Sequence, residues 1–458
     1  MHSSTEGADA RPNEDHAAPA DVTLREAFWY WLKLGFVSFG GPAGQIALMH
    51  EDLVERKRWI SEGRFLHALN YCMVLPGPEA QQLATYIGWL MHRTWGGIVA
   101  GGLFVLPSLA LLMLLSWIYL RFGDVPAVAG ALQGVKPAVT AIVAFAAWRI
   151  GSRALKNNWL RALAAASFVA IFAASVPFPA IVLAAALVGY AGGRLAPDRF
   201  AAGPAHGAPA AAGGLALIGD DTPTPAHARF TWGHFLRVLA AFVLLWALVL
   251  GALAWRYGWH GTLAQMGWFF TKAALMTFGG AYAVLPYVYQ GAVDHHQWLT
   301  GPQMIDGLAL GETTPGPLIM VVAFVGFVGG WTHAVFGAEA LLASAIAAAC
   351  VVTFFTFLPS FLFILLGGPF VESTHGNLKL TAPLTAITAA VVGVIVNLAV
   401  FFAYHVLWPQ GIAGRFDWVA ALLGVGAGIA LFRFKAGVVK VILACGAVGL
   451  VVRLVWGY

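Results

Sequence analysis

The stretch Phe39-Gly40-Gly41-Pro42, followed further along by Pro76-Gly77-Pro78, decides how this chain folds. Glycine and proline interrupt helices, yet both motifs stand inside apolar sequence. They recur as Phe278-Gly279-Gly280 and Pro315-Gly316-Pro317 when 33–78 is laid on 272–317 without a gap. The identical pairs include these helix breakers rather than only the common apolar residues. We therefore interpret the pattern as an internal duplication.

The composition indicates a membrane protein. Of the 458 residues, 60% are hydrophobic and 10% are charged, and the mean hydropathy is +0.76. A soluble protein carries about 25% charged residues. Apolar runs at 98–120, 160–178 and 235–255 are long enough to cross a bilayer, which takes ~20 residues per helix. The sequence therefore predicts an all-α polytopic membrane protein.

Changes in composition divide the chain into five parts. Residues 1–22 are polar and contain no apolar segment typical of a signal peptide, which predicts a disordered cytoplasmic tail. Residues 196–228 are rich in alanine, glycine and proline, which predicts a linker. We expect the other parts to be a first repeat, a connecting transmembrane helix and a second repeat, at 23–195, 229–258 and 259–458.

The charges of two matching loops predict that the second repeat is inverted. The loop 51–64 carries Arg56, Lys57, Arg58 and Arg64, whereas the matching loop 290–303 has neither lysine nor arginine. Positively charged loops stay on the cytoplasmic side. We therefore expect the two loops to lie on opposite sides of the membrane. The one extra helix between the repeats leads to the same expectation, because it reverses the second repeat if each repeat has an even number of spans.

The same charge rule predicts that 26–50 and 62–92 each enter the membrane and return to the cytoplasmic side. The fold class is then two inverted structural repeats with broken or re-entrant helices at the Gly-Gly-Pro and Pro-Gly-Pro motifs. The total is roughly 9–13 membrane elements, depending on how the hairpins are counted. The N-terminus and the linker are predicted to be cytoplasmic, and the C-terminus periplasmic or extracellular.

The helix breakers offer unpaired backbone donors inside the membrane. A helix that begins there presents N–H groups with no acceptor, carrying roughly half a positive charge. Such helix starts are predicted at Pro42, Glu79, Ala281 and Leu318. If they converge, they form an anion-binding cradle. The alternative is that the breakers are only kinks packed against neighbouring helices.

Charged residues near the breaks have two interpretations each. Lys33 and Lys272 occupy matching positions before the Gly-Gly pairs, where a lysine either attracts substrate or snorkels to the interface. Glu79, Glu312 and Asp306 are candidates for proton coupling. Glu79 has the alternative of balancing the dipole of its own helix.

The remaining candidate substrate-binding residues are the breakers and the polar groups beside them. Some of these polar groups are expected to bond to exposed backbone instead. The full set, beyond the two lysines, is Ser38, Gly40, Gly41, Pro42, Gly44, Gln45, Asn70, Pro76, Gly77, Pro78, Gln81, Gln82, Thr277, Gly279, Gly280, Thr313, Thr314, Pro315, Gly316 and Pro317.

No sequence pattern of an enzyme or a metal site competes with this interpretation. The chain has no P-loop, which argues against an ATP-driven pump, and no dinucleotide or nucleophile-elbow motif. The pair His295-His296 is a weak metal signal, and we interpret it as part of an external loop. The three cysteines are far apart and are expected to be small buried hydrophobes.

Two motifs resemble those of the chromate ion transporter family. In the first repeat they are Ser38-Phe39-Gly40-Gly41-Pro42-Ala43-Gly44-Gln45, then Trp59, then Leu75-Pro76-Gly77-Pro78-Glu79-Ala80-Gln81-Gln82. The second repeat resembles the family's C-terminal repeat through Thr277-Phe278-Gly279-Gly280 and Thr313-Thr314-Pro315-Gly316-Pro317. The resemblance covers nearly the whole chain except the tail and the linker, and fits the long, two-repeat form of the family.

The resemblance implies a secondary active transporter of the cell inner membrane that exports chromate, driven by the proton motive force, and so confers chromate resistance. The partners that it implies are chromate, as the substrate, and the lipid bilayer. It implies no enzyme activity, no cofactor or metal, and no binding of nucleic acid. Two alternatives for the function are a transporter of sulfate or another oxyanion and a passive anion channel. A homo-oligomer is also compatible with the sequence. In the second repeat, Ala281 and Leu318 stand where the first has Pro42 and Glu79, so the two half-sites are not equivalent.

Overall fold

The computed structural model describes residues 21–39, 41–195, 216–220, 222–223, 225–278, 280–373 and 381–456. Over these ranges the chain is helical, apart from turns and one isolated β-bridge between Ile60 and Ile218. Gly40 and Gly279, most of the predicted tail and much of the predicted linker lie outside the described residues.

In its described residues the first repeat contains seven α-helices. They are α1 Leu24–Val37, α2 Gly41–His50, α3 Glu62–Val74, α4 Glu79–Phe122, α5 Pro126–Ala154, α6 Asn158–Ala174 and α7 Phe178–Leu195. Thr23 and Ser61 cap α1 and α3, each accepting a hydrogen bond from a backbone N–H of the first helical turn.

A single helix, α8 (Trp232–Tyr257), leads from the first repeat to the second and is exposed over most of its length. The second repeat then contains eight α-helices in its described residues. They are α9 Thr262–Leu275, α10 Ala281–Tyr289, α11 Gly301–Thr313, α12 Val321–Thr332, α13 Leu341–Ser373, α14 Thr381–Leu407, α15 Trp418–Phe432 and α16 Val438–Trp456.

Within the described residues, seven helices are long and apolar enough to cross a membrane. These are Glu79–Phe122, Pro126–Ala154, Phe178–Leu195, Trp232–Tyr257, Ala338–Glu372, Ala382–Leu407 and Val438–Val455. Shorter apolar helices, among them α6 and α15, supplement them. The predicted class, an all-α polytopic membrane protein, is confirmed.

The backbone repeats the duplication seen in the sequence. A π-helical turn at Glu51–Arg56 has its counterpart at Gln290–His295, at the matching place in the second repeat. The residues that follow these turns, Arg58 and Gln297, have φ of +50° and +52°. Because a positive φ is uncommon outside glycine, its recurrence at matched positions reflects common descent of the two repeats.

The long helix α4 reverses direction partway along. His92 and Arg93 leave the helical conformation, and Arg93 takes a φ of +57°. On either side of this reversal the backbones are very close, since a Cβ on Gly88 would lie 2.5 Å from the Cβ of Ala100. The segment from Glu79 to Met91 is thus a half-helix that leads back from the Pro-Gly-Pro break, as the predicted hairpin requires.

The two repeats interlock instead of standing side by side. The first repeat's α5 packs on α14, α15 and α16, and its α4 packs on α13. Small residues allow the closest approach: a Cβ on Gly134 would lie 2.7 Å from the Cα of Gly449.

The described part of the predicted linker is bound to the first repeat. Ile218 pairs with the backbone of Trp59 and Ser61, and the Ser61 hydroxyl donates to Asp220 (2.6 Å). Ile218 and Ala228 are also buried in the apolar core of the first repeat, a contact that the linker composition did not predict.

Candidate functional site

The breaks of the two repeats meet through a reciprocal pair of hydrogen bonds. The backbone N–H of Gly77 donates to the carbonyl oxygen of Thr277 (2.7 Å), and that of Gly316 donates to the carbonyl oxygen of Ser38 (2.9 Å). Ser38 matches Thr277 between the repeats, and Gly77 matches Gly316. Each Pro-Gly-Pro break therefore joins the Gly-Gly break of the other repeat. We call these four residues the crossing.

Only glycine fits the two Pro-Gly-Pro positions of the crossing. Gly77 and Gly316 have φ of +130° and +97°, which residues with a side chain rarely adopt. A Cβ on Gly77 would lie 2.5 Å from the Ser360 hydroxyl, and one on Gly316 would lie 2.8 Å from the Cβ of Ser108. The glycines thus allow the backbone of one repeat to touch a helix of the other.

Four helical segments begin at the breaks, as predicted. They are α2 at Gly41, α4 at Glu79, α10 at Ala281 and the 3-10 turn Leu318–Met320. The first N–H groups of each have no acceptor within their own helix and carry partial positive charge. The second Gly-Gly glycines also match, since Gly41 and Gly280 both have positive φ.

Three buried glutamines of the first repeat surround the crossing. Gln45 donates through Nε2 to the carbonyl oxygens of Ser38 (3.2 Å) and Gly316 (2.5 Å). Gln82 donates to the carbonyl oxygen of Pro76 (2.8 Å), and Gln81 to the Thr85 hydroxyl (3.0 Å). The Oε1 atom of each glutamine is buried without a hydrogen-bond partner among the described residues. The side-chain groups of these glutamines that lack a partner are therefore hydrogen-bond acceptors.

Other predicted polar groups are occupied by their own helices. The hydroxyls of Ser38 and Thr277 donate to the carbonyl oxygens four residues earlier, at 2.6 and 2.7 Å. Those of Thr313 and Thr314 donate to carbonyls three residues earlier. These hydroxyl protons are therefore engaged in hydrogen bonds to carbonyl groups in the last turns of the helices.

Four predicted binding residues are exposed instead of buried at the crossing: Lys33, Gly44, Asn70 and Lys272. The ammonium group of Lys272 lies 5.6 Å from the centre of the Trp268 ring. This placement favours snorkelling for the lysines, because a long aliphatic stem can carry the charge out to the interface. Gly40 and Gly279, also predicted, lie outside the described residues.

The three candidate proton-coupling residues lie in different surroundings. Glu79 is half-buried at the first position of α4. Glu312 accepts a hydrogen bond from the Tyr282 hydroxyl, and the Arg149 guanidinium is within electrostatic range of both. Asp306 is buried, accepts from the Tyr119 hydroxyl (3.0 Å) and pairs with Lys136 (3.4 Å), while its Oδ1 atom has no partner in the described part of the chain.

The His295-His296 pair is part of an aromatic stack. The ring of His296 is parallel to that of Trp298, with 4.4 Å between centroids. Burial, helped by the neighbouring His295, lowers the pKa of His296 to about 4, so the ring is neutral at physiological pH. Within the described ranges, no group of three or more metal-ligating side chains is found.

Sequence reasoning missed Ser108 and Ser360, the two serines that touch the Pro-Gly-Pro glycines. A signal existed: Leu106-Pro107-Ser108 and Leu358-Pro359-Ser360 repeat the same tripeptide. It also missed Lys136, a charge inside α5 that becomes informative only beside Asp306.

Known proteins resemble this chain over most of its length. The profile of a family described as chromate transporter matches residues 25–190 and 264–450. A chromate transport protein of Pseudomonas aeruginosa is 32% identical over 445 residues, which cover 94% of this chain and 93% of the relative. A chromate transport protein of Cupriavidus metallidurans is 30% identical over 392 residues, covering 85% and 84%. No solved structure matches.

Proposed function

The chain belongs to the chromate transporter family, and from this we propose that it exports chromate across the cell inner membrane. Export is driven by the proton motive force and confers chromate resistance. The N-terminus and the linker face the cytoplasm, and the C-terminus faces the periplasm or the exterior. The reciprocal hydrogen bonds of the crossing carry this proposal, because they bring the helix starts of both repeats together.

The crossing suits a tetrahedral oxyanion. Helix starts supply free N–H groups and partial positive charge without any metal ion. The buried amide groups of Gln45 and Gln82 donate to the carbonyl oxygens of Gly316 and Pro76 and so hold the backbone of the breaks in place. In a site closed to water the helix dipoles act at low dielectric, where their attraction for an anion is strong. The partial positive charge of a helix start costs less free energy inside the membrane than the full charge of a buried lysine.

Inverted membrane vesicles test the proposal directly. We expect vesicles that contain the protein to take up radiolabelled chromate when a proton gradient is imposed, and to stop when it is collapsed. Uptake that ignores the gradient would indicate a passive channel. Sulfate uptake without chromate uptake would instead identify a sulfate transporter.

Proton coupling is assigned first to Glu79, since it stands at a helix start of the glutamine-rich half-site. Glu79→Gln keeps the shape of the side chain but cannot carry a proton. We expect it to reduce gradient-driven chromate uptake to the level seen without a gradient, while chromate exchange across the vesicle membrane persists. Glu339→Gln, at an exposed glutamate, is the matched control and is expected to behave like the wild type. Wild-type coupling in Glu79→Gln would shift the assignment to Glu312 or Asp306.

A further inference from the structure

Two buried serine hydroxyls have no partner. Ser108 and Ser360 are 0% and 1% exposed, and the Oγ atom of each lacks a hydrogen bond among the described residues. Two buried hydroxyls in the same helices donate to the carbonyl four residues earlier, Ser116 in α4 to Leu112 (2.6 Å) and Thr356 in α13 to Val352 (2.7 Å), whereas Thr353 of α13 also lacks a partner. A buried hydroxyl without a partner costs free energy, so the two that lie at the Pro-Gly-Pro breaks require an explanation.

The two serines occupy matching places on opposite repeats. Ser108 of the first repeat touches Gly316 of the second, and Ser360 of the second touches Gly77 of the first. Each follows a proline inside its helix, Pro107 or Pro359. The unpaired hydroxyls therefore stand at both Pro-Gly-Pro breaks, where the free N–H groups of the next helical segments begin.

Both half-sites border one stretch of α4. A Cβ on Gly101 would lie 2.6 Å from the ring of Phe361, next to Ser360, and 2.7 Å from Nε2 of Gln81. Ser108 is two turns further along the same helix, about 10 Å away at 1.5 Å per residue. The two serines thus lie within about two turns of each other along α4, where it contacts the second repeat.

We propose that Ser108 and Ser360 are repeat-related donors that bind the transported tetrahedral oxyanion, one hydroxyl at each Pro-Gly-Pro break. This inference rests on the proposed function and names residues that determine its substrate class. A hydroxyl without an internal acceptor can turn its proton to an anion oxygen. Because each donor belongs to a different repeat, the bound anion joins the two repeats.

Equilibrium binding of labelled chromate and of labelled sulfate to the purified full chain tests the pair. We expect Ser108→Ala and Ser360→Ala each to weaken oxyanion binding roughly tenfold or more, the ratio for one hydrogen bond to a charged group. The double variant is expected to lose roughly a hundredfold. Ser116→Ala and Thr356→Val are matched controls in the same helices, and they should bind like the wild type.

Thermal unfolding without ligand separates a binding role from a structural one. Removing an unpartnered hydroxyl should leave the unfolding midpoint of the ligand-free protein unchanged or raise it, whereas both controls should lower it. Affinity within twofold of wild type in both serine variants would overturn the inference and leave the proposed function intact. Binding of sulfate alone, weakened in both variants, would support the serine pair and reject chromate. Wild-type protein that binds neither anion would reject both proposals.

Discussion

At the scale of single residues, the crossing depends on the glycines of the Pro-Gly-Pro motifs. Gly77→Ala would force a side chain into a φ of +130°, which costs about 1–2 kcal/mol, and against Ser360, which adds roughly 1–3 kcal/mol. We expect chromate uptake in Gly77→Ala and Gly316→Ala to fall at least tenfold, measured in vesicles with equal amounts of inserted protein.

Two other glycines serve as graded controls for this prediction. Gly41 has a φ of +70° but open space around its Cβ position, so Gly41→Ala carries only the conformational cost. Gly102, in α4, has open space and an ordinary helical backbone, and Gly102→Ala should transport like the wild type. Loss of transport in Gly102→Ala as severe as in Gly77→Ala would contradict the steric argument.

Sequence reasoning reached the glycines and prolines of the site more reliably than its charges and hydroxyls. A helix breaker acts on its own backbone, so its effect is visible locally. The position of Lys33 is equally visible, but whether its ammonium group faces the site or the interface depends on packing. The serines at 108 and 360 matter because hydrogen-bond partners are missing, which only the folded chain reveals.

At the scale of elements, each repeat begins with broken helices that meet at the crossing. The half-helices α1 to α3 and the first part of α4 correspond to α9 to α11 and to α12 with its preceding turn. The sequence predicted these breaks from glycine and proline motifs that recur at matching positions in the two repeats. It could not predict which break would join which, because the pairing is between repeats: Gly77 bonds to Thr277 and not to Ser38.

The orientation of the elements predicts where two matching loops lie. Glu55 and Asp294 occupy the same place in the two repeats, and both are exposed. In a background with Cys350, the exposed cysteine, replaced by alanine, we expect Glu55→Cys to react with a membrane-impermeant thiol reagent only from the cytoplasmic side. Asp294→Cys should react only from the outside, because the two loops differ in positive charge. Labelling of both from one side would contradict the inverted arrangement.

At the scale of the whole molecule, two polar clusters join the repeats beyond the crossing. Arg64 of α3 pairs with Glu372 near the end of α13 (3.1 Å), and Glu372 also accepts from the Tyr86 hydroxyl. In the related place, Asp306 of α11 accepts from Tyr119 near the end of α4. Each cluster links the second hairpin of one repeat to the long helix of the other. Their partners are far apart in sequence, so no local pattern could predict them.

In the Arg64–Glu372 pair the carboxylate is buried and the guanidinium is largely shielded from solvent, and this burial determines the effect of removing either partner. Arg64→Leu would strand the Glu372 carboxylate, and we expect the loss of unfolding free energy to be about 3–5 kcal/mol. Glu372→Gln should cost less, because Arg64 also donates to the carbonyl oxygens of Gly219 and Thr222. The double variant should therefore be more stable than Arg64→Leu alone, in thermal unfolding in detergent.

The exposed pair Arg56–Glu51 is the matched control for this cycle, and Arg56→Leu should change stability by less than about 1 kcal/mol. A double variant as unstable as Arg64→Leu would show that the stranded charge is not the cause. The loss would then come from the contacts of Arg64 with the linker carbonyls. Because those contacts fasten Gly219 and Thr222 to the first repeat, linker cleavage by added protease should be faster in Arg64→Leu than in Glu372→Gln. Equal cleavage rates in the two variants would show that the Arg64 contacts do not hold the linker in place.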